Sequence, residues 1–126
     1  MARLILAEDD EVVGQMVSDA LLAAGHAVGW LTDGIDAWQA IQRRPPQLAI
    51  LDCNLPRLGG ISILRKMRLS PAMIDIPVLM LTGRRGSADE SIARYDGAGD
   101  YVTKPFHLPL LIGRVNALLD GERRWT

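Results

Sequence analysis

Short runs of consecutive apolar residues alternate along the chain with longer amphipathic stretches. Three runs, at residues 4–7, 48–51 and 78–81, are apolar throughout and lack the polar positions of a strand with one solvent-exposed face. Such runs are typical of strands in parallel sheets that are covered on both faces. Residues 27–31 and 101–102 are shorter or more mixed and are predicted as two further strands.

Five stretches between and after these runs carry apolar residues at helical spacing. They are residues 11–24, 35–41, 61–67, 87–96 and 108–119. Strands and helices therefore alternate five times, with right-handed crossovers expected. This order predicts an α/β domain of the flavodoxin-like kind, with a doubly wound, five-stranded parallel sheet in the order 2-1-3-4-5. Functional residues in such a sheet lie at the carboxyl ends of the strands.

The predicted helices differ in the width of their apolar stripes. The first is predicted to bury a long stripe, formed by Val12, Val13, Met16, Val17, Ala20, Leu21 and Ala24. The fourth has the thinnest, formed by Ala88, Ile92 and Tyr95. Few buried contacts give a segment low local stability, which a switching element needs and a mobile surface helix shares.

Length, charge and cysteine content exclude several classes of protein. A chain of 126 residues suits one domain that needs no disulfide or structural metal. A net charge of −1 gives no support for electrostatic binding to nucleic acid or to an anionic membrane. The single cysteine, Cys53, excludes an internal disulfide, and no apolar run approaches the length of a membrane span. We therefore expect a cytoplasmic protein.

Polar residues stand at the ends of four of the predicted strands. Because carboxyl ends of parallel strands meet at one edge of a sheet, these residues are expected to converge. They are Glu8, Asp9 and Asp10 after the first strand, Asp52 after the third, Thr82 after the fourth and Lys104 after the fifth. Clustered carboxylates suit Mg²⁺, which prefers oxygen ligands. With metal bound, an aspartate can attack a phosphoryl group, while a lysine and a hydroxyl stabilise the transferred oxygens.

Each of these residues alone has a commoner structural role. An aspartate at a strand end is usually a cap or turn residue, a threonine there is usually an N-cap, and a lysine is usually solvated. The combination at corresponding strand ends favours the functional interpretation, which is Mg²⁺-dependent formation of an aspartyl phosphate.

The motifs RLILAEDDE, ILDCNLP, LMLTG and GAGDYVTKPF resemble, in order and spacing, those of receiver domains of bacterial two-component response regulators. The resemblance covers the chain from Arg3 to about Leu119. It implies a phosphorylation-activated switch in residues 1–120, with 121–126 as a C-terminal tail or the start of a linker. It also implies a phosphoacceptor with self-catalysed transfer and slow autodephosphorylation, rather than an enzyme that turns over a metabolite.

The resemblance assigns the metal and phosphoryl ligands by position. Asp52 matches the phosphoacceptor that receives a phosphoryl group from a histidine kinase or phosphotransfer protein. Glu8 and Asp9 match the acidic pair, with Asp9 as a direct Mg²⁺ ligand and Glu8 acting through a water. Asp52 and the backbone carbonyl of Asn54 would complete the metal ligands of the protein, and Mn²⁺ would substitute for Mg²⁺.

Further positions match the switching residues of the family. Lys104 would pair with the phosphoryl oxygens, and its peptide bond to Pro105 is expected to be cis. Thr82 would move toward the phosphoryl group and Tyr101 would swing inward behind it. This coupling would alter the face formed by the fourth helix, fifth strand and fifth helix. Arg84, with Asn54, would tune the lifetime of the aspartyl phosphate.

The altered face implies the partners of the domain. It would control an output domain or a protein target, without contact of this domain with nucleic acid or membrane. A homodimer through the same face is a further expectation of the resemblance. Asp100 and Arg114 fit its charged positions, whereas Gly99 and Leu110 stand where acids are common.

Two other classes share parts of this pattern. Haloacid-dehalogenase-like phosphohydrolases also use an aspartate nucleophile, Mg²⁺, a hydroxyl and a lysine. They place a second aspartate two positions after the nucleophile, where this chain has Asn54. A flavin- or nucleotide-binding module on the same fold would need a Gly-rich phosphate loop after the first strand, where this chain has acidic residues.

Overall fold

The computed structural model describes residues 1–83 and 87–122, with the side chains of 87–90 outside the description. The strands are β1 (Arg3–Ala7), β2 (Ala27–Leu31), β3 (Leu48–Asp52), β4 (Val78–Thr82) and β5 (Asp100–Thr103). The helices are α1 (Glu11–Ala23), α2 (Gly34–Arg43), α3 (Gly60–Arg68), α4 (Ser87–Tyr95) and α5 (Leu108–Leu119). Arg84 and residues 123–126, on which two predictions fall, lie outside the described residues.

All four strand pairings are parallel, and the sheet order is β2-β1-β3-β4-β5, as predicted. At their carboxyl ends, β3, β4 and β5 each extend one residue further than the apolar pattern predicted. Asp52 pairs with Leu81, and Thr82 pairs with Thr103, so both polar residues are the last residues of their strands rather than the first residues of loops. Their backbones are therefore fixed by the sheet itself.

Both faces of the sheet carry an apolar cluster, which explains why its central strands are apolar throughout. Helices α1 and α5 cover the face that receives Leu4 and Leu6 of β1. Helices α2, α3 and α4 cover the opposite face, which receives Ile5 and Ala7. Cys53 packs against this second cluster, on the opposite side from Leu48 and Ile50.

Helix α1 buries only part of the predicted stripe, including Val17 and Leu21. Its buried residues are Gly14, Val17, Ser18 and Leu21. Val12 and Met16, which were predicted to be buried, have 77% and 39% of their surface exposed. The helix is rotated because Gly14, not a large apolar residue, faces the side chain of Trp30 on β2.

The predicted stripe of helix α4 was also wrong. Ile92 is 42% exposed and Tyr95 is 91% exposed, whereas Ala93 is fully buried. A small alanine at the seam lets the helix approach the sheet closely and leaves its larger apolar residues outside. Among the described helices, none combines the length and apolarity that crossing a membrane requires.

Candidate functional site

Three acidic residues meet at the carboxyl end of the sheet, as predicted. β1 and β3 are neighbours in register, with Ala7 beside Leu51, so the residues that follow or end these strands lie side by side. Carboxylate oxygens of Glu8, Asp9 and Asp52 all lie within 4.8 Å of one another. Glu8 is fully buried, Asp52 is almost fully buried, and Asp9 is exposed to solvent.

Lys104 joins this acidic group from the far side of the sheet. Its Nζ lies 2.6 Å from Asp52 Oδ2 and also contacts Glu8 Oε1. The backbone N–H of Lys104 donates to the carbonyl of Thr82 at 2.7 Å, which extends the pairing of β4 and β5. The peptide bond from Lys104 to Pro105 is cis, so this prediction is confirmed.

The charges in this cluster set its protonation. Burial raises the pKa of Glu8 to about 7, and its hydrogen bond with Asp52 acts in the same direction. Burial alone would raise the pKa of Asp52, but its hydrogen bonds with Glu8 and Lys104 outweigh burial and lower that pKa. Burial alone would lower the pKa of Lys104, and the two carboxyl groups raise it instead. Asp52 is therefore the carboxylate that stays ionised, paired with a charged lysine.

The backbone around Asp52 is closely packed. The N–H of Asn54 donates to Asp52 Oδ1 at 2.9 Å, while Asp52 Oδ2 faces Lys104. At the start of α3, a Cβ added to Gly60 would lie 2.2 Å from the carbonyl oxygen of Asp52. Only glycine fits there, and the sequence offered no signal for this contact beyond the pair Gly59–Gly60 itself.

Thr82 and Tyr101 are both buried. Thr82 is fully buried at the end of β4 and is joined to Lys104 through its backbone carbonyl. Tyr101 is 4% exposed and packs in the cluster beneath α2, α3 and α4. The predicted inward movement of Tyr101 remains a prediction, and its ring is buried in the state described.

The structure separates the acids of the first loop. Asp10 is the N-cap of α1, and its Oδ1 accepts hydrogen bonds from the N–H groups of Val12 and Val13 at 2.9 and 3.0 Å. Its carboxylate therefore satisfies free backbone N–H groups at the start of α1. Glu11 lies in the first turn, where an acid is favoured by the helix dipole.

The donor set fits a hard divalent cation. Three carboxyl groups lie together in the cluster described above, and one ammonium group contacts two of them. Glu8 Oε1 is completely buried against Lys104 Nζ. Carboxylate oxygens grouped this closely are the kind of ligand that Mg²⁺ takes.

One residue of the site was missed by the sequence analysis. The indole Nε1 of Trp30 donates to the backbone carbonyl of Glu8 at 2.9 Å. The sequence placed Trp30 at the end of a strand, but no local pattern indicated which way its ring would face.

This fold and the acidic cluster at its edge are those of a receiver domain. The sequence matches the response regulator receiver domain over residues 4–116, and the chain belongs to that family of phosphorylation-activated switches of two-component signalling. The phosphohydrolase and flavin-module alternatives are thereby set aside.

Similar proteins agree with this assignment. The response regulator protein PmrA of Pseudomonas aeruginosa is 42% identical over 116 residues, which are 92% of this chain and 52% of PmrA. The receiver domain of the Francisella response regulator 1452 has a TM-score of 0.89 at 28% identity, covering 96% of this chain and 98% of that one.

A third relative was solved with metal. The receiver domain of the sensor histidine kinase PA1611 from P. aeruginosa PAO1, with a magnesium ion coordinated in its active site cleft, has a TM-score of 0.85 at 28% identity. It covers 96% of this chain and 98% of that one. The chain spans about half the length of the curated relatives it matches, several of which are named transcriptional regulatory proteins.

Proposed function

We propose that Asp52 is the phosphoacceptor of this receiver domain. The observation that carries the proposal is the pair formed by Asp52 Oδ2 and Lys104 Nζ, 2.6 Å apart, within a cluster of further carboxyl groups. The lysine and the backbone N–H of Asn54 favour the ionised form of Asp52, which is the form that can act as a nucleophile.

The reaction balances with the groups in this cluster. An oxygen of Asp52 forms a bond to phosphorus while the bond from phosphorus to the imidazole nitrogen of a phosphohistidine donor breaks. The electron pair of that bond leaves with the imidazole. Lys104, whose pKa is raised, stays charged and can pair with a phosphoryl oxygen once Asp52 has given up its own charge. Slow attack by water on phosphorus would later restore the carboxylate and release phosphate.

We propose Mg²⁺, with Mn²⁺ as a substitute, as the cofactor. Asp9, Asp52 and the backbone carbonyl of Asn54 would hold the ion, and Glu8 would act through a water. The ion would supply the positive charge that lets an anionic phosphoryl group approach the carboxylates. The support is the grouping of carboxylate oxygens of Glu8, Asp9 and Asp52 within 4.8 Å of one another, together with the magnesium ion found in the related receiver domain of PA1611.

Labelling with a small phosphoryl donor tests the acceptor residue. Wild-type protein incubated with radiolabelled acetyl phosphate and Mg²⁺ is expected to gain one hydroxylamine-labile phosphoryl group, and Asp52→Asn is expected to gain none. Asp10→Asn is the matched control, because asparagine keeps the cap of α1 while removing one nearby charge. Undiminished labelling of Asp52→Asn would refute the assignment.

We also propose that Thr82 and Tyr101 couple the acceptor to the face formed by α4, β5 and α5. The backbone of Thr82 is bonded to that of Lys104, and Tyr101 lies on β5 three residues before it. The face exposes Tyr95 on α4 and Leu110 on α5, which are large apolar residues suited to a protein partner.

The wider setting is proposed from the family. The input partner is a histidine kinase or a phosphotransfer protein, and the output is a further domain or a separate protein target controlled by the same face. Residues 1–120 form the receiver unit, with 121–126 as a tail or linker, in a cytoplasmic protein. For a homodimer through this face, Arg114 would have to be shared, because its Nη1 already donates to both carboxylate oxygens of Asp100 at 3.0 and 2.9 Å.

A further inference from the structure

Strand β2 holds the backbone of Glu8 on both sides. The N–H of Glu8 donates to the carbonyl of Leu31 at 3.0 Å, which continues the pairing of β1 and β2 beyond the last residue of β1. The carbonyl of Glu8 accepts from Trp30 Nε1 at 2.9 Å. For this carbonyl, no other hydrogen bond is found in residues 1–83 and 87–122.

The second of these bonds fixes the peptide that joins two members of the acidic group. A peptide unit is planar, so the direction of the Glu8 carbonyl also sets the direction of the N–H and Cα of Asp9. The Glu8 side chain is held separately, because its Oε2 accepts from the N–H of Asp10 at 3.2 Å and its Oε1 contacts Lys104. The exposed Asp9 depends on its backbone for its position.

Helix α1 is shaped to leave room for the indole ring. A Cβ added to Gly14 would lie 2.0 Å from Trp30 Cζ2, 2.2 Å from Cε2 and 2.7 Å from Nε1. A side chain at position 14 would collide with the indole ring of Trp30 and displace it. The position of the ring therefore requires glycine there. Gly14 and Trp30 form a matched pair that holds Nε1 under the Glu8 carbonyl.

We propose that Trp30 is a positioning residue for the acidic metal site. Its indole N–H orients the peptide between Glu8 and Asp9, so that the Asp9 carboxylate lies within reach of Asp52. The inference rests on the proposed Mg²⁺ function, and its physical basis is that groups which orient metal ligands from behind contribute to metal affinity. The ring itself touches neither metal nor phosphoryl group.

The test compares Trp30→Phe with Trp38→Phe in the complete chain. Phenylalanine keeps an aromatic ring beside Gly14 but has no N–H, whereas Trp38 packs on α2 against the opposite cluster. Calorimetric titration with MgCl₂ is expected to show affinity lowered about ten-fold in Trp30→Phe, the lower end of the effect of such orienting groups. Trp38→Phe is expected to bind as the wild type does.

Two readouts do not depend on activity. In metal-free protein, the backbone amide resonance of Asp9 is expected to shift in Trp30→Phe and to stay in place in Trp38→Phe. The double variant Trp38→Phe/Trp125→Phe, which retains only Trp30 of the three tryptophans, is expected to change its fluorescence when MgCl₂ is added. An unchanged Asp9 amide in Trp30→Phe would overturn the inference.

A double-mutant cycle separates positioning from a general loss of packing. Gly14→Ala should displace the ring and lower Mg²⁺ affinity as Trp30→Phe does, and the double variant should be no worse than either single variant. Additive losses would overturn the inference, as would wild-type affinity in Trp30→Phe. If the wild-type protein binds no Mg²⁺, the proposed metal function fails as well, so the two failures are distinguishable.

Discussion

Lys104 Nζ lies 2.6 Å from Asp52 Oδ2, and the same ammonium group contacts Glu8 Oε1. The lysine thus holds together two carboxyl groups that arrive from β1 and β3. In the absence of metal it is the only cation of the described residues within salt-bridge distance of this pair. It therefore stabilises the site and also competes with a metal ion for the same oxygens.

Replacement of Lys104 by methionine should separate these two effects. Without metal, the free energy of unfolding is expected to fall by about 3 kcal/mol, since a buried carboxylate loses its partner. Saturating MgCl₂ should restore more stability to Lys104→Met than to the wild type. Urea denaturation with and without MgCl₂ measures both effects. Lys66→Met, at an exposed position of α3, is the control, and an equal gain from MgCl₂ in all three proteins would contradict the prediction.

Asp9 and Asp10 are adjacent acids that the structure assigns to different tasks. Asp9 belongs to the acidic group with Glu8 and Asp52, whereas Asp10 caps α1. Asp9→Asn is expected to weaken Mg²⁺ binding about ten-fold or more, and Asp10→Asn should have a much smaller effect because a nearby exposed charge is lost but no metal ligand. Calorimetric titration decides, and equal losses in both variants would show that the assignment of the ligand is wrong.

The raised pKa of Glu8 gives the metal-free protein a defined pH dependence. The pKa rises from 4.5 to about 7 on folding. Between these values the folded state keeps a proton that the unfolded state has lost, so the free energy of unfolding falls as pH rises through this window. Above about pH 7 both states are ionised at Glu8, and this dependence ends.

Replacement of Glu8 by glutamine tests this dependence. Glu8→Gln should remove the fall in stability between pH 5 and pH 7, measured by urea denaturation in the presence of a chelator. Glu11→Gln, which alters an exposed acid in the first turn of α1, should retain it. A Glu8→Gln protein whose stability follows the wild-type pH profile would argue against a buried, protonated Glu8.

Two arginines on α3 form hydrogen bonds with the residues that directly follow α4, and they differ in exposure and in the number of bonds they form. Arg68 is half-buried and donates to the carbonyl of Gly97 from Nε and Nη2 at 3.1 and 2.9 Å, and to those of Met73 and Ile76 at 3.3 and 2.9 Å. Arg65 is 58% exposed and bonds the carboxylate of Asp96 at 2.8 Å.

Lysine at these positions should therefore have unequal effects. Arg68→Lys is expected to cost about 1–3 kcal/mol, because one ammonium group cannot reach three carbonyl groups that a guanidinium fork spans. Arg65→Lys should cost at most about 1 kcal/mol, as exposed ion pairs do. Hydrogen exchange at the amides of residues 96–99 should rise in the first variant and change little in the second. Similar exchange in both would show that Arg68 does not hold this end of α4.

Much of the fold followed from local patterns. Residues 4–7 and 48–51 are apolar throughout because both sheet faces are covered, and this alone indicated parallel strands. Strand ends in a parallel sheet meet at one edge, so Asp52 and Lys104 could be expected to converge although 52 residues separate them. The limits of β2 were predicted correctly, whereas the other four strands were placed one residue short at one or both ends, since backbone pairing continues past the apolar residues.

Helix faces were harder to predict. In α1 the apolar residues Val12 and Met16 fit a helical stripe as well as Val17 and Leu21 do, and the sequence contains nothing that ranks them. In the structure, the buried face of α1 is the one on which the backbone of Gly14 packs against the side chain of Trp30 on β2. The same contact exposed Val12 and Met16 to solvent.

The sequence by itself determined the order of the elements, the parallel sheet and the kinds of residue at its carboxyl edge. Hydrophobic periodicity and the succession of elements along the chain can both be recognised from local stretches of sequence. The motif resemblance singled out Glu8 and Asp9, but only the tertiary structure decided which contacts hold Glu8 and Asp10 in place. The backbone of Glu8 is hydrogen-bonded to Leu31 and to the indole of Trp30, which is 22 residues away in the sequence. The side chain of Asp10 caps helix α1. Such hydrogen bonds depend on the distance and angle between elements, which no single stretch of sequence contains.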